Sequence, residues 1–446
     1  MAPTPPPPLS PSYDRVLYDP LEVPPDPAIP EHVPHEEVEE ASFLLRRFGI
    51  IRHPTPLYHS TQLDHVVSGL MGHRVFLYLK DESKNPTESV KDRAPIAFYE
   101  AVARGRIPSV VTTFSNGNLG SAITWAVKAA QRHTRHLHPD LTVAQVVMDQ
   151  RVPYFKRRFI RHHGGHIQDY RDIDPIESYR DAEDIVLGDM KDGSREALLV
   201  SHADPHTLAG YATMAEEVGD QLRRQYALNP LSLKAGEMAL LAPLGSGGLL
   251  AGLLHLKTLF PHVATYGVAA PPAQMAFDSL VEKSLMRRSI PADANPYVYG
   301  TLVTPEAHAL NLIQRQASGA LLVSDYEALL GTVLLREAGF HVDSTSGLAL
   351  AGLLMHRDLF SQTHTVILPL AGASQDTALS AEVIVMAHRG APAARSELLK
   401  RIDFYEERRR DPTSRVRSVV HDRSRLNLFQ RPEIFKREGR RPRFLI

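Results

Sequence analysis

The stretch "ALLAPLGSGGLLAGLLHLK" at residues 239–257 joins a short apolar run, a glycine turn and a helix-length apolar pattern. An apolar run of this kind is typical of a strand buried on both faces. Glycines let the main chain approach a ligand closely, and a following helix offers unpaired N–H groups. The pattern matches neither the dinucleotide fingerprint nor the Walker motif. It therefore predicts either a phosphate-binding loop or a plain strand-to-helix turn.

Similar apolar runs recur from about residue 75 to 370 and alternate with helix-length amphipathic stretches. They are "RVFLYLK", "SVVTTF", "TVAQVVM", "EALLVS", "MALLAPL", "ATYGVAA" and "HTVILPLAG". This alternation predicts an α/β fold with a mostly parallel sheet. Ligands of such sheets bind beyond the carboxyl ends of the strands, so functional residues are expected just after these runs.

Length and composition narrow the class of protein. A chain of 446 residues is long enough for two packed domains. The formal net charge of −1 gives no reason to expect nucleic acid or a membrane surface as a partner, and no apolar run is long enough to span a bilayer. The absence of cysteine excludes disulfides, zinc-thiolate sites and thiol nucleophiles. The start "MAPTPPPPLS" does not resemble a secretion signal, and we expect a cytoplasmic protein.

The two ends of the chain differ from the middle. Prolines dominate residues 1–40, and because each one removes a backbone donor, no strand or helix is expected there. We interpret this segment as an extended arm, with a disordered tail as the alternative. Residues 401–446 carry fourteen Lys and Arg against seven Asp and Glu. A solvated or subunit-packing extension fits them better than a nucleic-acid module.

A second strand-to-helix junction is "SVVTTFSNGNLGSAITWAVKAAQ" at 109–131. Its small polar loop at a helix start suits a carboxylate or another anion, and an Asn amide can donate to a phenolic or enolic oxygen. An Asn or Ser helix cap is the simpler alternative.

A third junction places "NPTESVKDR" at 85–93 after the strand "RVFLYLK", so that Lys91 is expected to begin the next helix. Helix-start N–H groups disfavour a positive charge and would lower the pKa of Lys91 toward that of a nucleophilic amine, the group that forms Schiff bases. A solvated surface lysine is the alternative.

Three segments together resemble the fold-type II pyridoxal-phosphate enzymes. They are the segment that contains Lys91, the loop "SNGNLG" at 115–120 (the Asn loop) and the loop "GSGGL" at 245–249 (the glycine loop). These enzymes form the tryptophan synthase β-like superfamily, which includes cysteine synthase, cystathionine β-synthase, threonine synthase and threonine dehydratase. The resemblance runs from "RHPTPLYHSTQL" at 52–63 to "LPLAGASQDT" at 368–377. "SVKDR" looks more like the cysteine synthase branch, whereas "NPT" and "LAGYATMAEEV" look more like threonine synthase.

The resemblance implies pyridoxal 5'-phosphate as cofactor and Lys91 as the catalytic Schiff-base residue. It implies that the cofactor is held by Lys91, Asn118, Gly245, Ser246, Gly247, Gly248, Leu249, Leu370 and Ala371. It implies that the substrate carboxylate is held by Ser115, Asn116, Gly117 and Leu119. No metal is expected in the "RHHGGHI" segment at 161–167, His202 and His206 fit surface or capping roles, and Trp125 fits the core.

Two positions depart from the family pattern. Glu88 stands where glycine or serine is usual, and it would act as a helix-cap partner or keep Lys91 protonated. The family places Ser or Thr beside the pyridine nitrogen, but the matching residue is Leu370 or Ala371, and neither side chain can hydrogen-bond. Unless Ser374 or a water reaches the nitrogen, the electron sink is weak. This favours β-elimination or β-replacement over racemisation.

The sequence therefore predicts a synthase that performs β-replacement on an amino acid with a β-leaving group, through an aminoacrylate. The alternatives are β,γ-replacement as in threonine synthase, β-elimination as in a dehydratase or ammonia-lyase, and a non-catalytic binding protein of the same fold. A second nucleophile and a homodimer are expected. The predicted division is an arm at 1–40, a larger lobe at 41–79 and 191–400, a smaller lobe at 80–190 and a basic extension at 401–446.

Overall fold

The computed structural model describes residues 13–18, 32–115, 117–133, 142–149, 152, 154–170, 197–271, 273–286, 305–373, 381–410 and 417–421. The strands are β1 Tyr13–Tyr18, β2 Leu57–His59, β3 Phe76–Asp81, β4 Val110–Phe114, β5 Val143–Asp149, β6 His166–Tyr170, β7 Ala197–Leu199, β8 Met238–Pro243, β9 Ala264–Ala269, β10 Gly319–Leu322, β11 Thr365–Leu370 and β12 Arg417–His421. The α-helices are α1 His35–Arg47, α2 Thr61–Met71, α3 Ile96–Ala103, α4 Asn118–His133, α5 Tyr154–His162, α6 Pro205–Tyr226, α7 Gly248–Leu253, α8 Leu256–Leu259, α9 Met275–Glu282, α10 Ala307–Gln316, α11 Asp325–Glu337, α12 Ser344–Met355 and α13 Ala381–Arg410.

The strands form two sheets. The larger sheet has the order β12-β1-β10-β9-β8-β11-β3-β2, and the smaller has the order β6-β5-β4-β7. All pairs in the smaller sheet are parallel, while the larger sheet is parallel except where β1 meets β10 and where β2 meets β3. The predicted α/β class with mostly parallel sheets is confirmed.

The central strands are buried along their whole length. Every residue of β4, β8 and β11 is buried, including the two threonines of β4. The seven apolar runs quoted above supply β3, β4, β5, β7, β8, β9 and β11. The carboxyl ends of β4, β8 and β11 lead directly into the loops that the sequence singled out.

The expectation that residues 1–40 form no strand or helix is wrong in two places. The proline-free stretch "YDRVLY" forms β1, which pairs with β10 on one side and β12 on the other, and α1 begins at His35. β1 is also fixed by ion pairs, because Asp14 accepts from Arg409 at 2.7 Å and Arg15 donates to Asp358 at 2.8 Å.

Two of the predicted domain limits do not coincide with the ends of sheets or helices, and the division into lobes stays a prediction. β7, at Ala197–Leu199, belongs to the smaller sheet but follows residue 190. The limit at residue 401 falls within α13. No helix in the described ranges combines the length and the apolar character that a membrane crossing requires.

Helix α6 packs very closely against the segment that carries Lys91. A Cβ atom on Gly210 would lie 1.8 Å from the carbonyl oxygen of Arg93, so only glycine allows this approach. The contact fixes the distance between α6 and the turn that precedes α3.

Gly210→Ala is therefore expected to lower the free energy of unfolding by about 3 kcal/mol, because the added methyl group must displace main-chain atoms. The matched control is Gly69→Ala in α2, where a Cβ would meet nothing within 4 Å. Alanine is the better helix former, so this control should leave stability unchanged or raise it by up to about 1 kcal/mol. Urea unfolding of both variants measures the difference, and equal stabilities would contradict the packing argument.

Candidate active site

Lys91 lies in a single 3-10 turn, Val90–Arg93, and not in the first turn of an α-helix. The expectation that it begins the next helix is wrong, because α3 starts only at Ile96, after Pro95. The hydroxyl of Ser89 accepts the Lys91 N–H at 3.3 Å, and the Val90 N–H donates to the Ala371 carbonyl at 2.9 Å. The turn is thereby tied to the end of β11.

The amine of Lys91 is held by Tyr211 of α6. Nζ donates to the Tyr211 hydroxyl at 2.9 Å and lies 5.0 Å from the centre of the same ring. Burial lowers the pKa of Lys91 to about 8, and the charge of Glu306 opposes this shift. The lowered pKa is therefore caused by burial and not by helix-start N–H groups. Roughly a tenth of the amine is neutral and nucleophilic at pH 7.

A buried ion network anchors the Lys91 turn. Arg93, which is fully buried, donates from Nε to Glu82 at 2.8 Å and from Nη1 to Glu217 at 2.9 Å. Buried Lys80, on β3, donates to the same Glu217 at 2.6 Å. Charge-assisted bonds of this kind are strong and directional. Because Glu82 follows β3 and Glu217 belongs to α6, the network fixes the turn to both elements.

Glu88 plays neither of the two roles expected for it. Ser89 is the residue that caps the turn, and Glu306 is the acidic residue whose charge acts on Lys91. The Glu88 side chain is exposed, and its main chain adopts φ 56°, in the left-handed region that favours glycine. Its N–H donates to Asn85, and its carbonyl accepts from Ala373, both at 2.9 Å. The position therefore keeps a glycine-like main chain although it carries a glutamate.

The Asn loop is braced by Ser115. The Ser115 hydroxyl accepts the N–H groups of Gly117 at 3.0 Å and Gly120 at 2.9 Å, so this side chain holds the loop at the start of α4. Asn118 is the first residue of α4, and the side chain of Leu119 is buried in the core. Asn116 lies outside the described residues.

The glycine loop connects β8 to α7. Gly247 has φ 93° and precedes the first residue of α7. A Cβ on Gly248 would lie 2.3 Å from the His202 carbonyl oxygen, so this glycine is required for packing. Glu306 holds the loop from the other side, because its N–H donates to the Ser246 carbonyl and its carboxylate accepts the His202 N–H, both at 3.1 Å.

These segments meet around a cleft that is partly open to solvent. The predicted residues that line it are Lys91, Asn118, Gly245, Ser246, Gly247, Leu249 and Ala371. The predicted residues Gly248, Leu370, Ser115, Gly117 and Leu119 do not line it. Leu370 is fully buried among apolar side chains of the core, so Ala371 is the residue that faces the cleft after β11. Ser374 falls outside the described residues.

Sequence reasoning missed five residues of the cleft wall: Ser89, Val90, Pro243, Asp343 and Thr345. The last two open α12, where Asp343 Oδ1 accepts the Ser346 N–H at 3.1 Å. The stretch "DSTSG" at 343–347 is a readable helix-start signal, because it places a capping residue ahead of an apolar helix. Nothing in the sequence indicates that this helix begins beside Ala371.

His202 lies close to Lys91, whereas the sequence predicts a surface or capping role for it. Its Nε2 bonds the Phe114 carbonyl at 2.9 Å, and its buried Nδ1 has no hydrogen-bond partner among the described residues. Burial and, second, the charge of Lys91 lower the pKa of His202 to about 3. The ring is therefore neutral at physiological pH. His206 is a surface residue that pairs with Glu100 at 3.2 Å.

One group in the described residues has metal-ligand character, and it lies outside the histidine-rich segment at 161–167 and outside the cleft. It consists of His35, Glu216 and His255, whose ligand atoms lie within 4.8 Å of one another. The two ring nitrogens of His255 bond Glu216 at 2.7 Å and the Val33 carbonyl at 3.2 Å. These bonds already satisfy the buried imidazole and join the start of α1 to α6.

Comparison with known proteins agrees with this geometry. The family model described as "Pyridoxal-phosphate dependent enzyme" matches residues 51–372, which is most of the chain. This chain belongs to the pyridoxal-phosphate-dependent enzyme family. The predicted resemblance and the predicted cofactor, pyridoxal phosphate, are thus confirmed.

Several relatives in the family are similar over most of their length. Human serine racemase is 24% identical over 346 residues, covering 76% of this chain and 91% of the relative. L-threonine ammonia-lyase of Geobacter sulfurreducens is 24% identical over 378 residues, covering 83% and 82%. The structure of diaminopropionate ammonia-lyase from Escherichia coli in complex with D-serine has a TM-score of 0.65 at 16% identity and covers 83% and 96%. The fold is therefore that of the fold-type II enzymes.

The cleft suits a pyridoxal-phosphate enzyme in two observable ways. It offers a lysine amine with a lowered pKa, and its wall contains the Thr345 hydroxyl, which is buried and has no hydrogen-bond partner among the described residues. An unsatisfied buried hydroxyl is costly unless a bound group uses it. The family's chemistry and the residues of the cleft are therefore compatible.

Glu88→Gly is expected to leave the free energy of unfolding within about 1 kcal/mol of wild type or to raise it, because glycine adopts positive φ without a steric cost. Glu88→Val should lower it by about 1 to 2 kcal/mol, since a branched Cβ is strained there. Thermal unfolding of both variants provides the measurement. A more stable valine variant would show that the side chain, and not the main chain, determines this position.

Lys91 in cofactor-free protein should react with acetic anhydride at a rate that rises with pH and levels off above about pH 9, because the neutral amine is the nucleophile and its pKa is about 8. An ordinary lysine, with a pKa of about 10.4, would keep gaining reactivity beyond that point. Peptide mass spectrometry after brief labelling measures the rate, with Lys91→Ala as the blank. A rate that still climbs between about pH 9 and 10 would mean that burial does not lower this pKa.

Proposed function

We propose that this protein is a pyridoxal-phosphate-dependent enzyme that removes a β-substituent from a small amino acid, as ammonia-lyases do. The observation that carries the proposal is Lys91, whose amine lines the cleft, bonds Tyr211 and has a pKa near 8. Relatives named as threonine ammonia-lyase and diaminopropionate ammonia-lyase support elimination chemistry.

The bound cofactor supplies an electron-withdrawing ring that stabilises negative charge at the substrate's α-carbon. Lys91 would hold the cofactor at its Nζ, and once the substrate amine had replaced it there, the freed amine would accept the α-proton, which its lowered pKa permits near neutral pH. Tyr211 positions Nζ through the 2.9 Å hydrogen bond. His202 stays neutral because of its low pKa, so it does not add a second positive charge beside Lys91.

Each remaining loop has one assigned task in this proposal. The loop at 245–249 would bind the cofactor phosphate, and Glu306 keeps it in place through the Ser246 carbonyl. Asn118 would bond the ring oxygen of the cofactor. The loop that contains Ser115 would bind the substrate carboxylate mainly through main-chain groups, because the Ser115 oxygen already accepts two N–H bonds within the loop.

β-Replacement, the reaction that the sequence predicted first, remains a second candidate. It begins in the same way as elimination and differs only in a second nucleophile that enters afterwards. Ala371, which faces the cleft with a methyl group, is the observation that keeps both reactions ahead of racemisation, since this residue cannot protonate the ring nitrogen. A homodimer and a cytoplasmic location remain predictions.

The reaction can be identified by its products. Purified protein loaded with pyridoxal phosphate should release ammonia and a 2-oxo acid from L-serine, L-threonine or L-2,3-diaminopropionate. Adding a thiol should leave the yield of 2-oxo acid unchanged if elimination is correct, and should divert it into a new amino acid if replacement is correct. Conversion of L-serine to D-serine faster than 2-oxo acid appears would contradict both.

Lys91→Ala should lower the rate by about a thousandfold or more, because it removes the group that holds and transfers the proton. The control is Lys84→Ala, a neighbouring lysine that is half exposed and outside the cleft wall, which should keep full activity. Borohydride treatment before digestion adds a second readout, since the cofactor should become fixed to the Lys91 peptide. Fixation of the cofactor to a different peptide would contradict the assignment of Lys91.

A further inference from the structure

The Thr345 hydroxyl has no assigned task in the proposed function. It lines the cleft, its residue is only 7% exposed, and its oxygen has no hydrogen-bond partner among the described residues. The other two hydroxyls of the cleft wall are used, because Ser89 accepts from Lys91 and Ser246 accepts from Gly248. Thr345 is thus the one described lining residue whose side-chain oxygen is buried and unsatisfied.

The hydroxyl is held in a fixed position by the surrounding main chain. The Asp343 N–H donates to the Gly372 carbonyl at 2.9 Å, and the Ser346 hydroxyl donates to the same carbonyl at 3.4 Å. The start of α12 is therefore fastened to the residues that follow β11. Gly347 adds a second constraint, because a Cβ there would lie 2.1 Å from the Ala328 carbonyl of α11. A group held this firmly is suited to position a ligand.

One polar atom of bound pyridoxal phosphate, the pyridine nitrogen, has no partner among the groups assigned so far. The amine-binding carbon of the cofactor belongs with Lys91, its phosphate with the glycine loop and its ring oxygen with Asn118. The pyridine nitrogen remains, and a buried nitrogen of this kind needs a hydrogen bond. Ala371, at the adjoining part of the wall, carries only a methyl group.

We propose that the Thr345 hydroxyl donates a hydrogen bond to the pyridine nitrogen of the bound cofactor. The partner of the nitrogen thus comes from the start of α12 and not from the end of β11. A neutral hydroxyl donor leaves the nitrogen unprotonated, which moderates the electron-withdrawing power of the ring. This inference rests on the proposed function, because it requires the cofactor to occupy the cleft beside Lys91.

Asp343 is the nearest competing group, since it also lines the cleft. Its Oδ1 accepts from Ser346 in the helix cap, and its Oδ2 faces Gly372, 3.4 Å from where a Cβ would sit. A carboxylate beside the nitrogen would favour the protonated ring, which is the opposite of what a hydroxyl donor does. The two residues therefore make different predictions about the state of the nitrogen.

The test uses the complete protein, reconstituted with cofactor labelled with ¹⁵N in the pyridine ring. Thr345→Val removes the hydroxyl at nearly constant volume, and it should shift the ring-nitrogen resonance and raise the cofactor dissociation constant about tenfold. Thr345→Ser should restore both values. The matched control is Thr265→Val, which removes another buried, unpartnered hydroxyl from β9, away from the cleft, and should change neither.

The outcomes separate the alternatives. If Thr345→Val and Thr265→Val behave alike, the assignment is wrong. If Asp343→Asn, which keeps a capping side chain, moves the resonance and Thr345→Val does not, the nitrogen pairs with Asp343. Thr345→Ala provides a second hydroxyl-free variant should valine disturb folding. If the unmodified protein takes up no cofactor, the proposed function fails first, and this is evident before any variant is made.

Discussion

The buried guanidinium of Arg93 is the constraint on which the site depends. It joins Glu82, at the end of β3, to Glu217, in the middle of α6, and it stands two residues after Lys91. Removing one partner from such a network leaves a buried charge without compensation, which typically costs several kcal/mol. The same helix supplies Tyr211, which bonds the lysine amine, and Gly210, which lets the helix approach. The contact between α6 and the Lys91 turn thus determines both where Lys91 lies and which group bonds its amine.

The cleft itself follows from the direction of the strands. In a parallel sheet all carboxyl ends lie at one edge, so loops that are far apart in sequence meet there. Here the loops after β3, β8 and β11 of the larger sheet contribute Lys91, Gly247 and Ala371, and the loop after β4 of the smaller sheet contributes Asn118. The glycines of these loops serve two purposes, since Gly247 allows a left-handed main chain and Gly248 makes room for the His202 carbonyl.

Sequence patterns predicted the parts of this arrangement that depend on local order. Continuous apolar runs identified the buried strands, and three polar loops at their ends identified most of the cleft. Features that depend on contacts between distant segments could not be predicted. The start of α12 reads as an ordinary cap, and only the fold brings Thr345 and Ala371 to the wall of the same cleft. His202 reads as a surface residue, yet it packs near Lys91. The proline content of residues 1–40 concealed β1, because composition averages over a short stretch without proline.

The position of β1 has a consequence for how the chain acquires its structure. This strand lies between β10 and β12, so residues near position 15 pair with residues near 320 and near 420. A ribosome delivers β1 well before both of its neighbours, so this strand must wait until they have been synthesised. Pairings with such long sequence separation form slowly, and until they form, the edge of β10 stays open to other chains. Completion of this sheet therefore follows the synthesis of β12, and it makes β1 and β12, which are far apart in sequence, depend on each other.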